Sequence, residues 1–348
     1  MRKSVSIQTM TDIAVRLGVS RAAVSAVLAN NPRGTIRVSP ATRARIQALA
    51  GKLNFRPSAI ARSMVTGQSR VVGYLTVDGG REHAAQVLAG AAAEAARCDY
   101  YLKYMPYDDA ADFDRKIQAC LEYRLAGVIC RSVREPLLAR LRAACRPRNL
   151  PVAMVDDTLP HKWGIRVIPD NVQGMRLLVE HLVKLGHRRI AHLTLLPERR
   201  FVRLRLQALR AALRAAGLRL PADRIVHVAK AQELAAPLTA LLQAPRRPTA
   251  LICIEDYMAM AAIQVVHRLG YRIPGDISIT GYANLGAAAF ADPPLTTVAQ
   301  PFVEMGRTAM RLLAEEIKRT DKITYRRQVE AVLPVQLVAR ESTGASLS

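Results

Sequence analysis

The sequence predicts a mixed α/β protein: an all-α helix-turn-helix head at the N-terminus, then a two-lobed, doubly wound α/β body. Three observations carry this. Residues Thr11 to Leu28 have helical spacing interrupted once by a glycine. From Val71 onward, apolar runs of strand length alternate with helical runs at about 25–30-residue intervals. The alternation then restarts near Ile165, giving two similar halves in series. A chain of 348 residues is long enough for two or three domains.

The head reads TDIAVRLGVSRAAVSAVL. Ile13, Ala14 and Leu17 share one helical face, Gly18 stops that helix, and Val19 packs the turn. Ser20 is placed to cap a second helix with Val24, Val27 and Leu28 on its inner face. Such a unit lays its second helix in the DNA major groove. After the loop from Asn30 to Pro40, a third helix starts at Ser39 or Thr42, with Ile46, Leu49 and Leu53 on one face and a stop at Asn54 to Pro57. The stretch Ser58 to Gly67 is helical by composition, and Gln68 to Arg70 reads as a linker.

Charge separates head from body. Twelve bases against one acid, Asp12, leave +11 in residues 1–70; thirty-nine against twenty-seven leave +12 in the other 278. A fifth of the chain holds nearly half of the net +23, as phosphate neutralisation by a DNA-binding head requires. The five cysteines are scattered, odd in number and without CxxC spacing, so reduced thiols are expected and neither metal nor disulfide. The first residues, MRKSVSIQTM, hold no long apolar run, and no stretch of about 18 apolar residues occurs. A cytoplasmic chain with no membrane span is expected.

In the body, strands are predicted at Val71–Val77, Tyr100–Met105, Leu125–Arg131 and Pro151–Asp156, with helices at Ala84–Cys98, Phe113–Tyr123 and near Pro136–Ala144. The second half opens with IRVIPD (Ile165 to Asp170) and the helix Asn171–Leu185. Strands at Arg189–Leu195, Arg224–Ala229, Thr249–Ile254 and Ile277–Tyr282 follow, with helices Phe201–Ala216, Gln232–Gln243 and Tyr257–Leu269. Ligands bind at the carboxyl ends of such strands.

Read together, these segments resemble the LacI/GalR (lactose/galactose repressor) family of transcription factors. The resemblance runs from about Met10 to Arg340. It rests on TDIAVRLGVSRAAVSAVLANN, VSPATRARI and LNFRPSAIARSMVTGQS in the head. In the body it rests on IPDNVQGM, VEHLVKLGHRRIAHL, PTALICIEDYMAMAAIQVVHRLGYRIPGDISITGY and DPPLTTVAQPFVEMGRTAMRLL. It implies a body like the periplasmic binding proteins, a homodimer on near-palindromic operator double-stranded DNA, and a small-molecule effector between the lobes. It also implies that the segment after Gln300 returns to the first lobe. The expected division is residues 1–66 for the head, with a hinge helix at about 58–65, and 67–348 for the body. The first lobe is then about 70–166 and 300–328, and the second about 167–299 and 329–342.

Candidate DNA-contacting residues are Thr11, Ser20, Arg21, Ala22, Ser25, Ala26, Asn30, Arg33, Arg37, Arg56, Ser58, Ala61, Arg62 and Met64. Arg21 can pair with guanine or hold a phosphate. The small Ala22 and Ala26 can accept a thymine methyl, and Ala26 stands where the family commonly has a base reader. Arg33 and Arg37 lie in a loop longer than the family norm, as phosphate contacts or solvated charge. Ser58 to Val65 resembles the hinge helix that enters the minor groove, with Met64 as the wedge between base steps; the alternative is a plain linker.

Candidate effector residues, by the resemblance, are Arg205, Glu255, Tyr282 and Ala283. Asp256 is expected to cap the helix after it, and Asp170 and Asn171 to cap another. Ala283 replaces an acid that holds ligand hydroxyls in relatives, and DGGREHAAQ (Asp78 to Gln86) replaces a segment with two sugar-stacking aromatics. An ordinary sugar effector is therefore not expected. His187 is read as a structural turn residue. No GxSxG, phosphate loop or GxGxxG follows a strand, so no enzyme is expected. The remaining alternative is a small-molecule-binding protein of this fold with little sequence-specific DNA binding. The polar end ESTGASLS carries no apolar heptads, so a dimer is expected and no tetramer.

Overall fold

A computed structural model describes residues 9–28, 36–55, 69–77, 79–133, 135–156, 162–197, 200–319 and 325–346. The chain divides into two compact units between Arg70 and Val71. The boundary expected between residues 66 and 67 lies outside the described residues.

The head contains helices α1 (Met10–Leu17), α2 (Arg21–Leu28) and α3 (Pro40–Lys52). Thr9 and Asp12 form a reciprocal capping box at the start of α1: the Thr9 side chain accepts the Asp12 N–H at 3.3 Å, and the Asp12 carboxylate accepts the Thr9 N–H at 2.7 Å. Gly18 ends α1 at φ +64°, a conformation that is cheap for a residue without Cβ. Ser20 Oγ accepts the N–H of Ala23 at 3.1 Å and so caps α2 as expected. Ser39 caps α3 through the Thr42 N–H, and Pro40 at the first turn loses no helical bond. Ile13, Ala14, Val24, Val27, Ile46 and Ala50 form the core of this unit.

In the second unit, the first lobe is a six-stranded parallel sheet in the order β2–β1–β3–β4–β5–β11. Its strands are β1 (Val71–Thr76), β2 (Tyr101–Pro106), β3 (Gly127–Arg131), β4 (Val152–Val155), β5 (Ile165–Pro169) and β11 (Val329–Leu333). Helices α4 (Glu82–Arg97) and α11 (Phe302–Lys318) cover one face, over Val72, Tyr74, Ile129, Ala153 and Val155. Helices α5 (Ala110–Glu122) and α6 (Glu135–Cys145) cover the other, over Leu75, Val128, Cys130, Val152 and Met154. Both faces being covered, β3 and β4 are buried at every position and, apart from Arg131 at the end of β3, read as unbroken apolar runs. Helices α4 and α11 meet backbone to backbone. A Cβ on Gly90 would collide with the Val303 carbonyl, and one on Gly306 with the Val87 carbonyl.

The second lobe is a four-stranded parallel sheet, β7–β6–β8–β9, with β6 (Ile190–Leu195), β7 (Ile225–Val228), β8 (Ala250–Cys253) and β9 (Ser278–Thr280). Helices α7 (Asn171–Lys184) and α8 (Arg200–Ala215) cover one face. Helices α9 (Ala235–Gln243) and α10 (Asp256–Arg268) cover the other. An antiparallel pair, β10 (Thr297–Ala299) with β12 (Gln336–Val338), completes the unit.

Two strands depart from the expected lobe boundaries. The whole of β5 belongs to the first sheet, paired with β4 from Ala153↔Ile165 to Val155↔Val167. Val329–Leu333, expected in the second lobe, is the edge strand of the first sheet, in parallel register from Val329↔Ile165 to Leu333↔Pro169. The chain thus leaves the first sheet at Asp170, re-enters that lobe at Phe302, and leaves its sheet again after Leu333. Local patterning says that a segment is a strand; the backbone ladder it joins is decided by the rest of the sheet.

Candidate functional site

In the head, α2 turns Val24 and Val27 inward and leaves Arg21 and Ala22 exposed, with Ser25 and Ala26 half-buried. Ser20, exposed, spends its hydroxyl on the cap. Thr11 is exposed on α1, and Arg37 is exposed before α3. The one acid of the head, Asp12, is held in the capping box, where hydrogen bonds from Thr9 lower its pKa. The exposed bases Arg16, Arg21, Arg37, Arg43, Arg45 and Lys52 therefore carry the field of this unit. Asn30, Arg33, Arg56, Ser58, Ala61, Arg62 and Met64 lie outside the described residues.

In the body, polar groups gather where the strands end. Arg205, on α8, is 5% exposed. Its Nε donates to Asn171 Oδ1 at 2.8 Å, Nη1 to the Ile254 carbonyl at 2.7 Å and Nη2 to Gln300 Oε1 at 3.2 Å. The guanidinium lies 3.7 Å over the Tyr282 ring. Asn171 follows the first crossing between lobes and Gln300 precedes the second, so Arg205 ties both crossings to the end of β8. Its fork faces protein acceptors.

Tyr282 is fully buried, with its hydroxyl 3.4 Å from Asn171 Oδ1, and burial pushes its pKa up to about 12. Ala283 sits at φ +136° and Asn284 at φ +56°. A backbone bond from the Ala283 N–H to the Val298 carbonyl (2.8 Å) and a side-chain bond from Arg340 Nη2 to Asn284 Oδ1 (2.7 Å) hold this strained corner. Asp256 departs from its expected role. Glu255 occupies the cap position of α10 and makes no side-chain cap, while Asp256 is the first helical residue. The buried Asp256 carboxylate accepts the Leu285 N–H at 2.7 Å and the Thr297 hydroxyl at 2.5 Å, bracing the corner instead. Asp170 does cap α7, through the Gln173 N–H, but Asn171 serves Arg205 rather than a cap. His187 is structural as read: Nδ1 meets Thr249 Oγ1 at 3.0 Å and Nε2 meets Ser278 Oγ at 2.9 Å.

A residue missed in the sequence stands opposite. Arg131 ends β3 and is 1% exposed, yet Nε and Nη1 make no hydrogen bond. Nη2 stands 3.6 Å from Asp156 Oδ2, longer than a hydrogen bond. Thr76 pairs with Arg131 in register and Tyr74 lies two residues earlier, so the three share a sheet face. The Tyr74 and Thr76 hydroxyls are also buried without a hydrogen bond. Desolvation drives the Tyr74 pKa far up, opposed by the Arg131 charge. The only sequence signal was a lone arginine closing the apolar run LAGVICR. Among the described residues, none of the five cysteines is in a disulfide, no group of three metal-ligating side chains occurs, and no helix is long and apolar enough to cross a membrane.

Residues 9–58 match the family described as "Bacterial regulatory proteins, lacI family", and residues 179–343 match a periplasmic binding protein-like domain. The HTH-type transcriptional repressor PurR of Aliivibrio salmonicida is 31% identical over 340 residues, covering 96% of this chain and 98% of PurR. The chain belongs to the LacI family. CytR of Escherichia coli K12, another repressor of this type, is 30% identical over 91% of the chain and 92% of CytR. A lac repressor dimer bound to operator and an anti-inducer superposes with a TM-score of 0.82 at 26% identity, over 97% of this chain and 99% of that one. A cellobiose complex of the regulator CelR gives 0.71 at 25% identity, over 96% and 99%. This LacI-family chain is a DNA-binding transcriptional regulator and not an enzyme.

Proposed function

We propose that this LacI-family chain is a repressor that binds a near-palindromic operator as a homodimer in the cytoplasm, with an effector between the lobes setting the affinity. The observation that carries the reading is the capped α2, whose first turn presents Arg21 and Ala22 outward beside a head of one-sided charge. A recognition helix reads bases with its N-terminal residues. Arg21 reads a guanine, Ala22 and Ala26 meet thymine methyls, and Thr11, Ser20, Ser25 and Arg37 position the backbone. Asn30, Arg33 and Arg56 take phosphates, while Ser58, Ala61, Arg62 and Met64 form the minor-groove hinge. In the body, Arg205 and Tyr282 act by setting the lobe crossings, and Glu255 and Ala283 face the effector. The missing acid at Ala283 disfavours an ordinary sugar.

Selection of bound sequences from a random duplex library at physiological salt tests this reading. The expected result is a palindrome of roughly 14–20 bp with a flexible central step. Failure to enrich any sequence rejects it in favour of the small-molecule-binding alternative.

A further inference from the structure

We propose that the effector is an anion, a carboxylate or phosphate, and that Arg131 is its grip. The inference rests on the reading that the interlobe cleft takes an effector, and deepens it. An arginine this deeply buried is normally met by a carboxylate in a two-point bond. Arg131 has only Asp156, at 3.6 Å. The neighbouring Tyr74 and Thr76 hydroxyls, on the same sheet face, also make no hydrogen bond. Three unsatisfied donor groups in one place, at the strand ends where ligands bind in α/β sheets, form a donor set for an oxyanion. Arg131 can only donate, and among the described residues Asp156 is its one charged partner, so an added oxyanion supplies the acceptors the guanidinium lacks.

The backbone around the group is held under strain. Ser132, directly after Arg131, and Asp156 are non-glycine residues at φ +54° and +57°. Non-glycine residues in this conformation cluster at ligand sites. Glu255, two residues past the end of β8 in the other lobe, is half-buried and its carboxylate makes no cap bond to α10. It disfavours negative charge on its own side and leaves the first lobe as the anionic end of the site. Because Nε and Nη1 are closed off from solvent here, an anion reaches them only when the side chain swings or the lobes part. Recognition and lobe movement are then one event, which is what an effector must accomplish.

The test uses the full chain at constant ionic strength. Thermal unfolding and calorimetric titration are run with inorganic phosphate, glycerol 3-phosphate and succinate, against glycerol and ribose as neutral matches. The wild type is expected to gain melting temperature and release heat with the phosphates or with succinate, which identifies the source of the anion, and not with the neutral compounds. Arg131→Met is expected to melt close to the wild type, since it removes a buried charge that lacks hydrogen bonds and leaves behind only the partly exposed Asp156, and to lose the anion response at least tenfold. Arg131→Lys should retain part of it. Two results overturn the proposal: no response to any of the three anions, or an unchanged response in Arg131→Met with a lowered melting point, which would make Arg131 a structural group. These titrations contain no DNA, so failure of operator binding is read separately.

Discussion

Glu82 Oε1 accepts a 2.8 Å hydrogen bond from the backbone N–H of Gly286, and the two residues belong to different lobes. Glu82 opens α4, and Gly286 begins the 3-10 turn that follows the strained corner at Ala283. The bond spans the mouth of the body and survives only while the lobes are close. Glu82→Ala removes about 1 kcal/mol from that arrangement, roughly a fivefold shift toward a more open body. Small-angle scattering should record a larger radius of gyration. An unchanged profile would assign closure to other contacts.

Arg21→Ala should lower discrimination between operator and random duplex by about 1–3 kcal/mol while leaving salt-sensitive binding in place. Competition binding at two salt concentrations separates the outcomes. Equal loss on both duplexes, with a shallower salt slope, would make Arg21 a phosphate contact.

Asp256→Ala strands the Leu285 N–H and the Thr297 hydroxyl in a dry site. The cost should be about 3 kcal/mol in urea unfolding. Asp256→Asn keeps one acceptor and should lose less. A loss below the value typical of an exposed site would mean that the corner at Tyr282–Asn284 holds itself.

His192, fully buried on β6, donates from Nδ1 to the Ile252 carbonyl at 2.8 Å, and its pKa falls to about 4, first through desolvation and then through the charges of His227, Arg205 and Arg210. Above about pH 6.5 the ring is neutral in both folded and unfolded chains. Between 6.5 and 4 the unfolded chain binds a proton that the folded chain refuses, so stability declines as pH falls. Below about 4 both are protonated and the loss levels off near about 3 kcal/mol. The pKa of His181 and of His187 is lowered by burial too, adding to the same slope. Urea unfolding from pH 8 to 4 should follow this curve, and His192→Gln should flatten part of it.

Much of this architecture is written in local pattern. The helix-turn-helix is legible because its signals are short-range: a glycine stop at Gly18 and a hydroxyl cap at Ser20. The Thr9–Asp12 box has the same short-range signature, a threonine followed three residues later by an acid. The strands are legible as apolar runs, but the placement of Val329–Leu333 beside β5 is not, because a ladder partner leaves no mark in an edge strand's own residues. Asp256 misleads because an acid before a helix signals a cap, and a shift of one position turns the same side chain toward a loop across the sheet. Arg131 is invisible in the sequence: what matters is the missing partner, and that is a property of three dimensions.

The last strand of the first sheet, β11, comes from residues 329–333, while its first, β1, begins at residue 71. On a ribosome, that sheet stays open at the β5 edge until nearly the whole chain has emerged, since loop closure over such a span cannot precede synthesis. The second sheet, β6 to β9, is contiguous within residues 190–280 and is available earlier. The head, within the first 70 residues, is available earliest of all. The order in which the parts can close therefore runs head, second lobe, first lobe. A message cut short between residues 70 and 329 yields a chain that carries its helix-turn-helix head without a finished first lobe to govern it.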